Sequence, residues 1–436
     1  MPAGDGLPAY CRVTATLKPT EDSDIKVEVW MPASGWNGRF EAVGNGGWAG
    51  HIHTQDLSAA LKGGFATAGT DTGHDGNGND ARFAAGHPEK LIDFGYRAVH
   101  EMTTTAKAII ASFYGDGPKF SYWNGCSTGG KQGLTEAQRY PDDFNGIVEG
   151  DPASLFTHLM FGTIWPAEAT LKDAASYIPP EKYQLIHRAV LEACDALDGV
   201  KDGLIEDPTR CRFDPKVLEC CLTAPQIEAV RKIYAGPTNP RTGEQIFPGL
   251  EPGSELSWKN LAGGPKPMEI PASYFRNLLF HDPAWDFRTL NFDSDVARAD
   301  QLHGAILNAD DPDLKAFAAH AGKLIMYHGW SDPVIAPMES VNYYNAVVAA
   351  MGGTAKTANF VRLFMAPGMG HCANGEGPSA FDKMGALEEW VEHGAAPDRI
   401  VAHGHGLTRP LCPYPEVARW KGSGSTSEAA NFTCVK

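Results

Sequence analysis

Residues 120–141 constrain the fold most, because a short apolar run, a tight turn and a helical segment follow one another there. The run FSYWNG is typical of a buried strand, and KQGLTEAQRYP has helical character and ends at a proline. The connecting GCSTG places Ser127 between small residues. A turn this tight between a strand and a helix needs small neighbours and exposes its central side chain. We therefore expect Ser127 at the end of a sheet strand.

Strand-like and helix-like segments alternate on both sides of this turn. The β-like runs IKVEVWMP, RFEAVGNGG and GFATAGTD precede it, GIVEGDPA follows it, and KLIMYHGWSDPVI and NFVRLFMAPGMGHC come near the C-terminus. Such alternation predicts a mostly parallel sheet covered on both faces. The pattern breaks down over 154–313 into polar loops and isolated helices. The sequence predicts an α/β-hydrolase fold in which 1–153 and 314–436 form the catalytic domain and 154–313 an inserted lid domain.

Charge and composition exclude several classes of partner. The formal charge of −16, with no basic cluster, argues against nucleic acid, since phosphate binding needs a basic surface. No run of eighteen or more apolar residues exists, so we expect no membrane span. We expect a small-molecule substrate, and the sequence does not indicate an oligomeric state.

Nine cysteines are many for a reduced cytosolic enzyme, and no C-x-x-C pair suits zinc. They indicate a secreted or periplasmic protein, although MPAGDGLPAYCRV lacks the features of a signal peptide. The odd count leaves one thiol unpaired, for which Cys11 is the candidate. Removal of an upstream segment would account for both the missing signal-peptide features and the unpaired Cys11.

Two further residues complete a candidate catalytic triad. In this fold the nucleophile is followed along the chain by an acid and then a histidine, each just past a strand. Asp332 in HGWSDPVI and His371 in APGMGHC satisfy both conditions. His371 would take the proton from Ser127, and Asp332 would orient the imidazole. His328 is a rival for the base, but its position within or beside the strand disfavours it.

Acyl transfer also needs donors for the developing oxyanion. The amide of Thr128, directly after the serine, is the first candidate. The second comes from the GNGGW segment, where Gly47 is favoured and Gly46 is nearly as suitable. The alternative is an ordinary glycine turn between strands.

Cysteines flank the candidate site, Cys126 before Ser127 and Cys372 after His371. A disulfide between them would tie the serine turn to the histidine loop, and geometry permits it only if the triad is assembled. Two buried, unpaired cysteines are the alternative. Because the composition indicates an oxidised protein, we favour the bridge.

A separate acidic loop, CDALDGVKDGLIED, combines aspartates with glycines. Hard oxygen ligands on a tight turn suit calcium, although the spacing is not that of an EF-hand. The ligands would be the carboxylates of Asp195, Asp198 and Asp202 and the backbone carbonyls of Val200 and Leu204. An acidic solvated turn is the equal alternative from spacing alone.

Several long motifs together resemble the tannase and feruloyl esterase family, which also includes mono(2-hydroxyethyl) terephthalate hydrolases. They are CSTGGKQGLTEAQRYPDDFNGIVEGDPA, CDALDGVKDGLIEDPTRC, HGWSDPVI, GMGHC and RPLCPYPEVARWKGSG with ANFTC. The similarity extends from about Cys11 to Cys434. It implies an esterase with the triad named above, the bridge beside it and structural calcium in the lid.

The resemblance also implies the disulfides Cys194–Cys211 and Cys412–Cys434. Two features depart from the family pattern. The usual upstream partner of Cys11 is absent, and Cys220 and Cys221 are adjacent where relatives have a small loop between two cysteines. A vicinal disulfide and two free thiols both remain open.

Substrate selection is expected to come from the lid. Candidate contacts are Trp165, Phe275 and other lid aromatics for stacking (Tyr274, Phe280, Trp285), Arg276 for a carboxylate or phenolate, and Ile335 near Asp332. Each has a structural alternative: core packing for the aromatics, and an ion pair with Asp282 or Asp286 for Arg276.

The sequence thus predicts a serine carboxylesterase that acts on esters of aromatic acids. A feruloyl ester is the leading substrate, with a gallate ester or a terephthalate monoester as alternatives. A hypothesis from another class is a catalytically silent protein that binds a phenolic ligand in the same cleft.

Overall fold

The computed structural model describes residues 1–4, 6–262 and 264–436. Its main sheet has eight strands in the order β1-β2-β4-β3-β5-β6-β7-β8. The strands β4, β3 and β5 to β8 run parallel, and β1 and β2 pair antiparallel at one edge. The bounds of these strands are β1 Tyr10–Leu17, β2 Ile25–Pro32, β3 Arg39–Val43, β4 Ala66–Thr70, β5 Phe120–Cys126, β6 Gly146–Gly150, β7 Lys323–Gly329 and β8 Val361–Ala366.

Two small hairpin-like sheets follow near the C-terminus, made of β9 Ile400–Gly404, β10 Leu407–Leu411, β11 Val417–Trp420 and β12 Phe432–Val435. The α-helices are α1 Thr54–Lys62, α2 Pro88–Ile92, α3 Ala98–Tyr114, α4 Thr128–Arg139, α5 Phe156–Leu171, α6 Tyr183–Cys194, α7 Ala224–Ala235, α8 Glu269–Tyr274, α9 Ser294–Ala299, α10 Ala305–Leu307, α11 Lys315–Ala319, α12 Met338–Ala350, α13 Thr354–Thr357 and α14 Lys383–His393. No helix in the described part of the chain has the length and apolar character needed to cross a lipid bilayer.

Side chains that alternate along each strand build two cores, one on each face of the sheet. In β5, Trp123 packs on the side of α3, α4 and α12, whereas Tyr122 packs on the side of α14. The apolar runs of the parallel strands are buried on both faces, as a doubly covered sheet requires. The predicted sheet segments correspond to β2 to β8.

The described residues between β6 and β7 contribute no strand to the main sheet. They carry α5 to α11 and share a separate, large hydrophobic cluster that contains Phe161, Trp258, Tyr274 and Phe275. This cluster also includes Trp48 and Phe94 of the first part of the chain. The inserted segment therefore packs directly on the sheet-forming part near the end of β3.

Candidate active site

Ser127 occupies the turn between β5 and α4. Its backbone has φ 63° and ψ −123°, a region that side chains with a Cβ rarely adopt. The Ser127 amide donates to the carbonyl of Gly150 on β6 (2.8 Å), and its carbonyl accepts from the Lys131 amide (3.1 Å). A Cβ on Gly125 would lie 2.4 Å from the carbonyl oxygen of Gly129. Close approach of the strand to the helix therefore demands the small residues that the sequence places there.

Asp332 and His371 meet beyond the ends of β7 and β8. The Nδ1 of His371 lies 2.6 Å from Oδ2 of Asp332, and the Asp332 side chain is fully buried. The other carboxylate oxygen, Oδ1, accepts from the amides of Val334 (2.7 Å) and Ile335 (3.1 Å). These bonds fix the carboxylate plane, and with it the orientation of the imidazole.

The charges of the pair shift both pKa values. Burial alone would raise the pKa of the Asp332 carboxyl, but the adjacent His371 and His328 hold it well below its ordinary value. For His371, burial lowers the pKa, and the charge and hydrogen bond of Asp332 outweigh that effect and raise it. A histidine with a buried anionic partner is suited to accept and return a proton.

A disulfide joins the two loops that carry Ser127 and His371. Cys126 and Cys372 have an S–S distance of 2.03 Å and Cα atoms 5.9 Å apart, across 246 residues of sequence. This is the pairing that we expected from their positions beside the serine and the histidine.

Six of the seven remaining cysteines also pair. The structure contains the disulfides Cys194–Cys211 and Cys412–Cys434, as the resemblance implied. Adjacent Cys220 and Cys221 form a vicinal disulfide, and Cys11 is free.

The amides of Thr128 and Gly47 lie in neighbouring loops. The Thr128 hydroxyl donates to the Gly47 carbonyl (2.6 Å), which links the start of α4 to the loop after β3. Within the described residues, the Gly129 amide donates to the backbone carbonyl of Asn45 (2.7 Å), whereas the amides of Thr128 and Gly47 donate to no backbone carbonyl in a turn, loop or helix cap. Gly47 has φ 55°, and a Cβ there would lie 2.2 Å from the carbonyl oxygen of Gly78. This loop conformation therefore depends on glycine.

A cavity of about 540 Å³ opens over Ser127, His371 and the disulfide. Its size is in the range of small-molecule sites. Besides these groups and the loop 44–47, its walls comprise the apolar residues Met268, Ile270 and Val334, the polar residues His53, Asp56, Asn124 and Tyr327, and the cation Lys383. The apolar wall comes from the inserted segment and from the loop after β7.

The substrate contacts expected from the sequence lie elsewhere among the described residues. Phe275 is fully buried against Phe161, and the Trp165 indole N–H donates to the Lys232 carbonyl (2.7 Å). Ile335 is buried, and its neighbour Val334 faces the cavity instead.

Arg276 pairs with Glu269 and lines a separate surface depression with Asp80 and Asn277. No sequence pattern marks Met268 or Ile270 as cavity residues, because their position depends on how a segment without regular periodicity folds back. Lys383 and His53 could not be predicted either, since nothing local marks them as facing the serine.

The acidic loop of the inserted segment is compact and partly buried. Oδ1 of Asp195 accepts from the amides of Asp202 (3.1 Å) and Gly203 (3.2 Å), and Oδ1 of Asp198 accepts from Val200 (2.9 Å). Burial, with the charge of Asp202 acting in the same direction, raises the pKa of Asp195 and of Asp198. Concentrated negative charge on hard oxygen donors fits a cation such as Ca²⁺.

Asp202 also has a protein partner, because its Oδ2 accepts from the buried guanidinium of Arg409. Among the described residues, the carboxylate oxygens of Asp195, Asp198 and Asp202 do not all come within 4.8 Å of one another. The donor chemistry therefore fits calcium. For all three aspartates to bind one ion through their side chains, Asp202 would have to turn away from Arg409.

The sheet order and the placement of a serine turn after β5 define an α/β-hydrolase fold. Its membership of a family of ester hydrolases, and not the fold alone, makes this chain a carboxylic ester hydrolase. The family model for tannase and feruloyl esterase matches residues 11–435, and the chain belongs to that family.

Individual relatives agree with this membership. An uncharacterized esterase of Xanthomonas campestris is 40% identical, with 99% of this chain and 85% of the relative covered. A protein of Aspergillus oryzae named probable feruloyl esterase B-1 is 34% identical over 98% of this chain and 84% of its own length. The crystal structure of feruloyl esterase B from the same organism has a TM-score of 0.93 at 31% identity, covering 98% of this chain and 90% of that one.

Proposed function

We propose that this protein hydrolyses esters of aromatic acids through an acyl-enzyme on Ser127, and that a feruloyl-type ester is its substrate. The observation that carries the proposal is that Ser127 and His371 line one cavity while the buried Asp332 hydrogen-bonds to His371 from behind at 2.6 Å. The names of the feruloyl esterase relatives support the choice of substrate.

In the first half-reaction, Oγ of Ser127 attacks the ester carbonyl carbon while Nε2 of His371 accepts the hydroxyl proton. Asp332 stabilises the imidazolium, and the amides of Thr128 and Gly47 stabilise the oxyanion. Collapse of the tetrahedral intermediate breaks the ester C–O bond, and His371 returns the proton to the leaving alcohol.

In the second half-reaction, water replaces the alcohol. His371 removes a proton from the water, and the hydroxide adds to the acyl carbon. The bond to Ser127 then breaks as His371 returns the proton to the serine oxygen. The products are the free aromatic acid and the regenerated enzyme. The aromatic acid would lie against the apolar wall formed by Met268, Ile270 and Val334.

Two features of the surrounding structure belong to the same proposal. Residues 154–313 form a lid domain, supported by their separate hydrophobic cluster and by their contribution to the cavity wall. The protein works in an oxidising compartment, secreted or periplasmic, supported by the disulfides.

We further propose that the lid holds a structural calcium ion. The side chains of Asp195, Asp198 and Asp202 and the carbonyls of Val200 and Leu204 would be its ligands. The ion would supply charge compensation for the aspartates and fix the loop, and it would take no part in the chemistry.

The proposal is tested by kcat/KM for methyl ferulate, methyl gallate and mono(2-hydroxyethyl) terephthalate, measured on the wild type, Ser127→Ala and Ser176→Ala. Ser176 serves as the control because it lies in the inserted segment away from the cavity wall. We expect hydrolysis, with ferulate preferred, that is lost in Ser127→Ala and retained in Ser176→Ala. Preference for gallate or for the terephthalate would select an alternative ester. Binding of ferulate without hydrolysis, unchanged by Ser127→Ala, would instead identify a silent binding protein.

A further inference from the structure

A second histidine lies behind the candidate triad. His328 is on β7 and is fully buried, and its Nε2 lies 3.2 Å from Oδ2 of Asp332. The same nitrogen lies 3.0 Å from the carbonyl oxygen of Ile335 and 3.5 Å from Oδ1 of Asp151. Because a peptide carbonyl can only accept, Nε2 of His328 must carry a proton.

The other ring nitrogen also has a partner that permits a proton. Nδ1 of His328 lies 2.7 Å from Oγ of Ser340 on α12, and a serine hydroxyl can accept as well as donate. Burial lowers the pKa of His328, but the charges of Asp151 and Asp332 outweigh it and raise this pKa to about 9. Both ring nitrogens therefore have partners that accommodate the charged form, and the two neighbouring carboxyl groups favour it.

Asp151 is a second carboxyl neighbour of the histidine, and burial together with the charge of Asp332 raises its pKa to about 7, although His328 and His371 oppose this shift. It directly follows β6, is fully buried, and has a positive φ of 41°. Its Oδ1 accepts from the Gly329 amide (3.0 Å), and its Oδ2 lies 3.3 Å from the amide nitrogen of Cys372. Asp151 therefore lies between the histidine loop and strand β7, where its charge acts on both His328 and His371.

We propose that His328 is a positioning residue of this esterase: its Nε2–H is held by the Ile335 carbonyl beside the Asp332 oxygen that orients His371, and its charge acts on Asp332, Asp151 and His371. This inference rests on the proposed triad. Two amides donate to Oδ1 of Asp332, His371 hydrogen-bonds to Oδ2, and the His328 ring lies 3.2 Å from Oδ2, so the carboxylate has little freedom to rotate. The positive charge of the His328 ring lowers the pKa of His371, against the effect of Asp332 and Asp151. His371 must be neutral to accept a proton from Ser127.

Other charged groups around this cluster act less directly. Glu339 on α12 favours the charged form of His328, and Lys383 on α14 interacts with Asp151 through space. Glu149 on β6 is buried, and burial together with the charges of Glu339 and Asp151 raises its pKa. Within the described residues none of these groups hydrogen-bonds to Asp332 or His371, so they influence the pair through their charge alone.

The test is the pH profile of kcat/KM for the uncharged substrate methyl ferulate. His328→Gln keeps a donor but removes the charge. We expect kcat to fall about 10- to 100-fold, as for loss of a charge-assisted hydrogen bond, with KM within about twofold. The acid limb should move to higher pH, because protonated His371 no longer faces a cation.

Asp151→Asn supplies the opposite change. Removal of a negative charge beside His371 should move the acid limb to lower pH. Opposite shifts from two neighbouring substitutions cannot arise from a general loosening of the site. If His328→Gln does not fold, Ser340→Ala tests the same ring. We then expect the acid limb to move to higher pH, by less than in His328→Gln.

His187→Gln is the matched control, because His187 is also buried and its Nδ1 lies 2.8 Å from Oε2 of Glu255 in the inserted segment. It should lower the melting temperature and leave the pH profile unchanged. An unchanged kcat and acid limb in folded His328→Gln, or shifts of the same sign in both variants, would overturn the inference. Activity that survives Ser127→Ala would instead refute the proposed function, so the two failures are distinguishable.

Discussion

The Cys126–Cys372 disulfide joins the residue before Ser127 to the residue after His371. The loops that it connects follow β5 and β8, which are separated in the sheet by β6 and β7. Within the described residues, no backbone hydrogen bond of the main sheet links these two strands directly. The bridge therefore supplies a covalent connection between the candidate nucleophile and base that the sheet itself does not provide.

Removal of this bridge in Cys126→Ser/Cys372→Ser should reduce both stability and activity. The bridge closes a loop of 246 residues, and loss of such a constraint costs about 2–5 kcal/mol of unfolding free energy. We expect kcat for methyl ferulate to fall as well, because Ser127 and His371 can then move apart. Denaturant unfolding and steady-state kinetics measure the two effects.

The control is Cys412→Ser/Cys434→Ser, which removes a bridge near the C-terminus that lies outside the cavity wall. This variant should lose stability and keep its kcat. Equal losses of kcat in both double variants would show that the bridge beside the site has no specific role.

Adjacent glycines of the loop after β3 should differ sharply in tolerance to alanine. Gly47→Ala forces a Cβ to 2.2 Å from the Gly78 carbonyl oxygen at a positive φ, so the loop must shift and move the proposed oxyanion donor. We expect kcat to fall about 10²–10³-fold. Gly46→Ala is the matched control, because its Cβ would meet nothing closer than a His53 ring carbon at 4.0 Å. Comparable kcat values in the two variants would exclude Gly47 from the oxyanion site.

Activity should decline on the acid side as His371 gains a proton. The charge of Asp332 outweighs burial and raises the pKa of His371, so the acid limb of kcat/KM should lie above the ordinary histidine pKa. In Asp332→Asn the anion is absent, and the limb should move to lower pH while kcat falls about 10³–10⁴-fold. Circular dichroism across the same pH range separates titration from unfolding. A limb that stays in place in Asp332→Asn would contradict the assignment of His371.

Removal of calcium should destabilise the lid. With calcium at 100 times its Kd, binding adds about 2.7 kcal/mol to the unfolding free energy, so EDTA should lower the melting temperature and added CaCl₂ should restore it. Asp198→Asn should reduce the response to calcium, whereas the exposed Asp116→Asn should not. Identical melting curves with EDTA and with CaCl₂ for the wild type would refute the calcium proposal.

Local patterns accounted for the sheet and for the residues at its strand ends. The run FSYWNG and the GCSTG turn predicted β5 and the position of Ser127, because an apolar run followed by small residues is typical of a strand that ends in a tight turn. Asp332 and His371 followed from chain order, since parallel strands bring successive loops to one edge of the sheet. The same logic placed Cys126 near Cys372.

The inserted segment was predicted only as an interruption of the pattern. Its aromatic residues could equally serve as core or as substrate contacts. The structure buries Phe275 and directs the Trp165 indole to a backbone carbonyl, while Met268 and Ile270 reach the cavity. A helical segment without a clear apolar stripe does not reveal which of its faces will be covered.

By itself, then, the sequence determined the α/β-hydrolase sheet, the serine turn and the pairing of Asp332 with His371, because these depend on short-range periodicity and on the order of strands. The surroundings of these residues depend on tertiary packing: Met268, Ile270 and Val334 form an apolar cavity wall, and His328 lies within 3.5 Å of both Asp332 and Asp151. Those contacts join residues far apart in the chain through packing in three dimensions, which no local pattern encodes.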